Sequence, residues 1–475
     1  MRAAPVDAGV RAPAALRAAP PGTVPEGKLS PVCGRGEDRT ATLYLSVIGV
    51  GLIALTVAGL LLHRRGAITL PSLPVTWLFV GLMAAAAVIY FVAVALILRR
   101  PMPGAAVWVV LGVAVVLRAV VLPTPPFLSS DVFRYVWDGK VQNAGVNPYS
   151  YVPDDPALIP LRDAAIYPHI NRADYARTIY PPMAQLVFRA VTAIGPTVLA
   201  MKSAAVGFEL LAMGAVVALL AAAGLPRERV LIYAWNPLAV WAFAGNGHVD
   251  AIAVGLIGVA LLAWFRRSDT VVGAVLGAAI LVKFLPVAIA PALWRRWDWR
   301  MPVTCLALML ALYAVYIDAG RYVLGFLPGY AAEEGLGRGA GFWLLAGVGD
   351  VLPLPSVAPT AYLVVASCVF VAAAVWVAFR SQPIGDPRDD AVRMAGNAAG
   401  LAAIVMVVLS PHYSWYYAWL ALPCCICPLR SVIYLSAAGL LLYVNPLNEH
   451  FLWPCLLFVP AIALAVRDRR ILRSI

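Results

Sequence analysis

T-W-L-F-V-G-L-M-A-A-A-A-V-I-Y-F-V-A-V-A-L-I-L, Thr76 to Leu98, carries no charged residue and ends on Arg99-Arg100. A helix of this length crosses a hydrocarbon core of about 30 Å, because each residue adds about 1.5 Å. Ala41 to Leu62 reads the same way, and apolar runs recur to the end of the chain. Of 475 residues, 62% are hydrophobic and only 13% charged. In lipid every backbone polar group needs an internal partner, and a helix supplies one at each residue. The expected fold is all-α, a polytopic membrane protein with about 11–14 membrane helices once broken or re-entrant pairs are counted.

Charge supports the same picture. The formal net charge is +12, but Lys and Arg sit mostly as doublets or triplets at the ends of apolar runs. That is the pattern of cytoplasmic anchors and not of a nucleic-acid patch. Cys305, Cys368, Cys424, Cys425, Cys427 and Cys455 fall in or beside apolar segments without metal-ligand spacing, so they read as small core residues. Residues 1–40 read as a disordered cytoplasmic tail, and residues 41–475 as one transmembrane domain.

With Arg99-Arg100 inside and a further span at Gly104 to Leu122, the polar stretch from Pro123 to about Ile179 falls on the extracytoplasmic side. His63-Arg64-Arg65 then lies outside, a mild violation of the charge rule. Tyr180 to Ile194, with Gln185 and Arg189, reads as an interfacial amphipathic helix that completes an outer loop over 123–195. Val230 to Phe265 is flanked by Arg229 and Arg266-Arg267, which predicts a hairpin with its tip at Gly245 to Asp250. Thr270 to Trp294 predicts two short helices broken at Lys283-Phe284-Leu285-Pro286. The other outward tips are Arg321 to Pro355, Ser410 to Trp415 and Asn445 to His450.

The outer loop opens with S-S-D-V-F-R-Y-V-W-D-G-K-V-Q-N-A-G-V-N-P-Y, Ser129 to Tyr149. Ser129-Ser130 are N-cap candidates and Gly145 is a stop, which predicts a short helix between them. Helical spacing collects Asp131, Arg134, Tyr135, Asp138 and Gln142 on one face, and Val132, Phe133, Val136, Trp137 and Val141 on the other. The polar face is expected to look into a cavity; internal ion pairing is the plainer reading. His248 and Asp250 are equally consistent with turn chemistry and with a cavity wall. Lys283 beside a mid-membrane proline needs a partner, either a ligand phosphate or a carboxylate. His412 and Trp415 stand in an aromatic run that also suits a membrane interface. Glu333-Glu334 and Arg338 read most simply as solvated, with a mobile lid as the alternative. Walker, dinucleotide, zincin and nucleophile-elbow motifs are absent from the sequence.

D-V-F-R-Y-V-W-D-G-K-V-Q-N-A-G-V-N-P-Y, T-I-Y-P-P-M-A-Q, Y-A-W-N-P-L, G-N-G-H-V-D, L-V-K-F-L-P and S-P-H-Y-S-W-Y, in that order, resemble the GT-C membrane glycosyltransferases. The closest likeness is to actinobacterial mannosyltransferases that use polyprenyl-phosphate mannose, of the glycosyltransferase family 87 type. The resemblance implies a general base in the first large outer loop, at Asp131 with Asp138 in reserve. It also implies inverting transfer from a polyprenyl-phosphate sugar to a lipid or glycan acceptor. Lys283, His248 and Arg134 are the candidates for the donor phosphate. Tyr135, Tyr149, Tyr180, Asp250, His412 and Trp415 are the candidates for sugar or acceptor. Mannose is the expected sugar, with arabinose and glucose left open. Membrane lipids are expected partners; nucleic acid, a cofactor and a metal are not. Two departures stand out: Ser414 replaces a proline common before Trp-Tyr, and three spans precede the loop instead of one. A transporter or flippase of lipid-linked glycans is the rival reading, and an inactive scaffold is a third.

Overall fold

The structure is a computed structural model that describes residues 35–63, 73–335, 337, 339, 341–380, 385–444 and 451–473. The expected tail as far as residue 34, Arg64-Arg65, Arg338 and the Asn445–His450 tip lie outside the described residues. Among the described residues every regular element is a helix. Three helices, α1 (Arg35–His63), α2 (Leu73–Arg99) and α3 (Ala106–Val121), precede the polar loop. Within that loop lie α4 (Asp131–Asn143) and α5 (Pro182–Ile194), and α6 (Val198–Ala222) follows it. Next, α7 (Pro237–Gly245) and α8 (Asp250–Phe265) form a pair bent by 119° around the expected tip. The chain continues through α9 (Asp269–Ile280), α10 (Arg300–Ala314), α11 (Leu327–Glu333), α12 (Ala358–Arg380), α13 (Pro387–Leu409), α14 (Arg430–Ala438) and α15 (Leu452–Arg473).

Among the described residues, five helices are long and apolar enough to cross a membrane, or up to seven if each of two bent pairs is one span. The protein is therefore an all-α, multi-pass membrane protein. The difference from the expected 11–14 lies in short apolar helices such as α3 and α9, which are below span length. One pair of charges inside the bundle is matched. Arg118 of α3 donates to Glu209 of α6 at 2.6 Å and to the Ala234 carbonyl at 2.7 Å, and Tyr233 Oη donates to the same carboxylate at 3.1 Å. An isolated charge there would be costly, whereas this group is paired and hydrogen-bonded.

The outer loop is seated by its own apolar cluster. Val132, Val136, Trp137, Phe188, Val249 and Ile252 are buried together, fixing α4 and α5 against the start of α8. Gly139 makes the α4–α5 approach possible, because a Cβ there would sit 2.4 Å from the Phe188 carbonyl oxygen. The expected polar face of α4 does not simply line a cavity. Asp138 and Gln142 are buried with Gln185 of α5, and Tyr316 Oη donates to Gln142. Both faces of α4 therefore pack on protein, and only its N-terminal end is left to a cavity.

Candidate active site

That end borders a cavity of about 420 Å³. Its walls come from the start of α4 (Asp131, Tyr135), the loop before α5 (Asn171, Arg172, Tyr180), the α7–α8 tip (Val249, Asp250), the break after α9 (Lys283, Phe284), α11 (Leu327, Tyr330) and the aromatic run (His412, Tyr413, Trp415, Tyr416). With Leu442 and Tyr443 nearer the C-terminus, seven segments distant in sequence converge here. The irregular pieces are the ones that point inward, which is where non-helical backbone is tolerated in a membrane bundle.

Asp131 is the first residue of α4, where a negative charge suits the helix dipole. Its backbone N–H donates to Ser129 Oγ at 3.2 Å, while Ser130, the N-cap residue, makes no side-chain capping bond. The Asp131 carboxylate accepts from Asn171 Nδ2 at 3.0 Å through Oδ1. Its Oδ2 lies 3.8 Å from His248 Nδ1, and the side chain keeps 21% of its surface open. Burial pushes this carboxyl above the ordinary aspartate value, with the Asn171 hydrogen bond and the Lys283 and Arg172 charges opposing.

Lys283 faces Asp131 across the cavity and is held by Asp250, whose Oδ1 accepts from Nζ at 2.7 Å. The ammonium also sits 3.5 Å from the centre of the Tyr416 ring, a cation–π geometry. Of the two partners expected for this lysine, a carboxylate is present. Asp250 Oδ2 is buried and makes no hydrogen bond among the described residues. His412 Nδ1 is 3.1 Å from Glu334 Oε2; burial lowers the imidazole's affinity for a proton, and the carboxylate opposes this. Tyr330 and Tyr416 share a hydroxyl–hydroxyl bond of 2.9 Å.

Asp131, Tyr135, Tyr180, Asp250, Lys283, His412 and Trp415 thus border one cavity. Four other expected residues do not. Arg134 pairs with Asp138 at 2.8 Å and donates to the Ala176 carbonyl at 3.1 Å, so both its charge and that of Asp138 are spent behind the wall. Tyr149 is buried and donates to the Tyr180 carbonyl at 2.7 Å. His248 is buried behind Trp415, their rings stacked with centroids 3.9 Å apart, and neither ring nitrogen makes a hydrogen bond among the described residues. Glu333 is not merely solvated: it accepts from Arg172 at 2.7 Å and Tyr175 at 2.8 Å. Asn171, Arg172, Tyr330 and Tyr416 escaped sequence reasoning as individual site residues. Tyr416 lies in the quoted aromatic run, but Asn171 belongs to a loop with no periodicity to single it out.

A second cavity, of about 560 Å³, shares the wall of Lys283, Phe284, Tyr330, His412 and Tyr416 with the first. Beyond that wall it is almost wholly apolar, lined by Leu363, Ala366 and Phe370 of α12, Val405 and Val408 of α13, and Val287. A polar chamber and a greasy one therefore meet at a lysine and a histidine.

Residues 39–297, more than half of the chain, match the family described as Alpha-(1->6)-mannopyranosyltransferase, N-terminal domain. The matched region holds Asp131, Asn171, Asp250 and Lys283, while His412 and Trp415 lie beyond it. No curated protein and no solved structure matches the chain. Between an enzyme and a transporter, the family decides for the enzyme. The chain belongs to the MptA_B family and is a membrane mannosyltransferase of the GT-C, family 87-like type.

Proposed function

We propose that this mannosyltransferase takes mannose from a polyprenyl-phosphate donor at the extracytoplasmic face and adds it to a hydroxyl of a lipid-linked or envelope glycan. The observation that carries the reading is the junction of the two cavities at Lys283 and His412. A sugar phosphate suits the polar chamber, and its hydrocarbon chain suits the apolar one, since each buried methylene is worth about 0.8 kcal/mol. The arginine-flanked apolar runs support the outward orientation.

Asp131 is the general base. The acceptor hydroxyl gives its proton to the carboxylate while its oxygen attacks the anomeric carbon, and the bond to the phosphate oxygen breaks with its electron pair leaving on phosphate. The departing charge is met by the Lys283 ammonium and a hydrogen bond from His412. A carboxyl raised by burial is a stronger base than one in water. One displacement inverts the centre. If the product is alpha-(1->6), as the family's description reads, the donor linkage must be beta.

The test is transfer of radiolabelled mannose from polyprenyl-phosphate mannose to octyl α-mannoside by the purified protein in lipid nanodiscs. Asp131→Asn should lower kcat by roughly 10²–10⁴ with little change in donor KM. Full activity in Asp131→Asn would sink the assignment of the base.

A further inference from the structure

Asn171 stands in the loop between α4 and α5, and its side-chain nitrogen is spoken for twice. It donates to Asp131 Oδ1 at 3.0 Å and to Ser130 Oγ at 3.2 Å. The amide cannot be reversed without cost, since a carboxylate only accepts and would then face the amide oxygen. Asp131 Oδ2 receives no hydrogen bond among the described residues, and His248 Nδ1 is 3.8 Å away. One oxygen is fixed and the other is free to accept.

The loop spends strain to keep this arrangement. Arg172, next in sequence, has a φ of 55°, a left-handed conformation that costs a branched or long side chain. Its guanidinium is held by Glu333 at 2.7 Å, so the bonds of neighbouring residues run in opposite directions, one to the base and one to α11. Strain of this kind persists where the surroundings over-determine it.

We propose that Asn171 is a positioning residue, which clamps the Asp131 carboxylate by Oδ1 so that Oδ2 takes the acceptor proton. The inference rests on the reading of Asp131 as the base. The groups that face Asp131 are His248 and Asp250 from the α7–α8 tip, Lys283 from the break after α9, and Arg172 from the loop. The phenols of Tyr135, Tyr180, Tyr413, Tyr416 and Tyr443 also sense it and stay neutral below about pH 10. Among the described residues only Asn171 donates a hydrogen bond to the carboxylate, and such a bond favours the ionised form.

The experiment is the pH dependence of kcat/KM for the same transfer to octyl α-mannoside. Asn171→Ala should move the acid limb up by about one pH unit at unchanged donor KM. The isosteric Asn171→Asp places a second carboxylate against the first and should move it up by roughly two units or more. Infrared titration of the protonated carboxyl band that is missing in Asp131→Asn should show the same displacements without any turnover. An acid limb and band unmoved in both variants, with Asp131→Asn inactive, overturns the positioning role. If Asp131→Asn is fully active, the base assignment fails, and the band alone then decides: displaced, Asn171 still governs the carboxyl; unmoved, the proposal falls too.

Discussion

Lys283 has two jobs that a single substitution would confound. Its ammonium neutralises Asp250, which is 4% exposed, and in the proposed mechanism it also meets the leaving phosphate. Removing one partner of a buried pair costs about 3 kcal/mol, because a carboxylate is left uncompensated. Lys283→Met should therefore lower both thermal stability and transfer, while Lys283→Met with Asp250→Asn should recover most of the stability in a detergent melt and none of the activity. Recovery of both would deny the lysine any part in the chemistry. In the sequence, the need for a partner at Lys283 was legible, since a charge beside a mid-membrane proline cannot stand alone. Which of several carboxylates answers it was not, for Asp250 is 33 residues away in sequence. Arg134 and His248 show the same limit. Periodicity puts a side chain on a face but says nothing of what covers that face, here Asp138 in one case and Trp415 in the other.

For α4 the element was more legible than its surroundings. Capping residues, a glycine stop and alternating faces all anticipate a helix close to Asp131–Asn143. Its polar face was expected at a cavity and instead docks on α5 through Asp138, Gln142 and Gln185. A polar stripe is as well satisfied by a buried network as by solvent, so amphipathicity alone cannot separate the two. The contact depends on Gly139, where an added Cβ meets a backbone oxygen that cannot turn away. Gly139→Ala should cost about 2 kcal/mol by overpacking and shift α4, carrying Asp131 out of register. A fall in melting temperature with a lower kcat, at a position outside the cavity, is the expected result; wild-type stability and turnover would mean that α4 can slide without consequence.

At the scale of the whole molecule, the all-helical, multi-pass character followed from hydropathy, because a bilayer allows few arrangements of apolar helices. The bent α7–α8 pair and the break at Lys283 both fall where the basic flanks predict a turn. The apolar chamber was invisible for a physical reason. Its lining residues, among them Leu363, Ala366 and Val405, look in sequence like any lipid-facing position. Only packing separates a surface bathed in many lipids from a groove that fits one chain. That difference can be measured with donors of two lengths. Ala366 is buried in the groove wall, and Ala366→Trp should fill part of it. Displacing about two methylenes from apolar contact is worth roughly 1.6 kcal/mol, so KM for a long-chain polyprenyl-phosphate mannose should rise about tenfold. A short citronellyl-phosphate mannose has much less chain to place in the groove, so its KM should change far less, and kcat should hold for both donors. An equal loss with the two donors would assign the chamber to bulk lipid and leave the donor chain to another path.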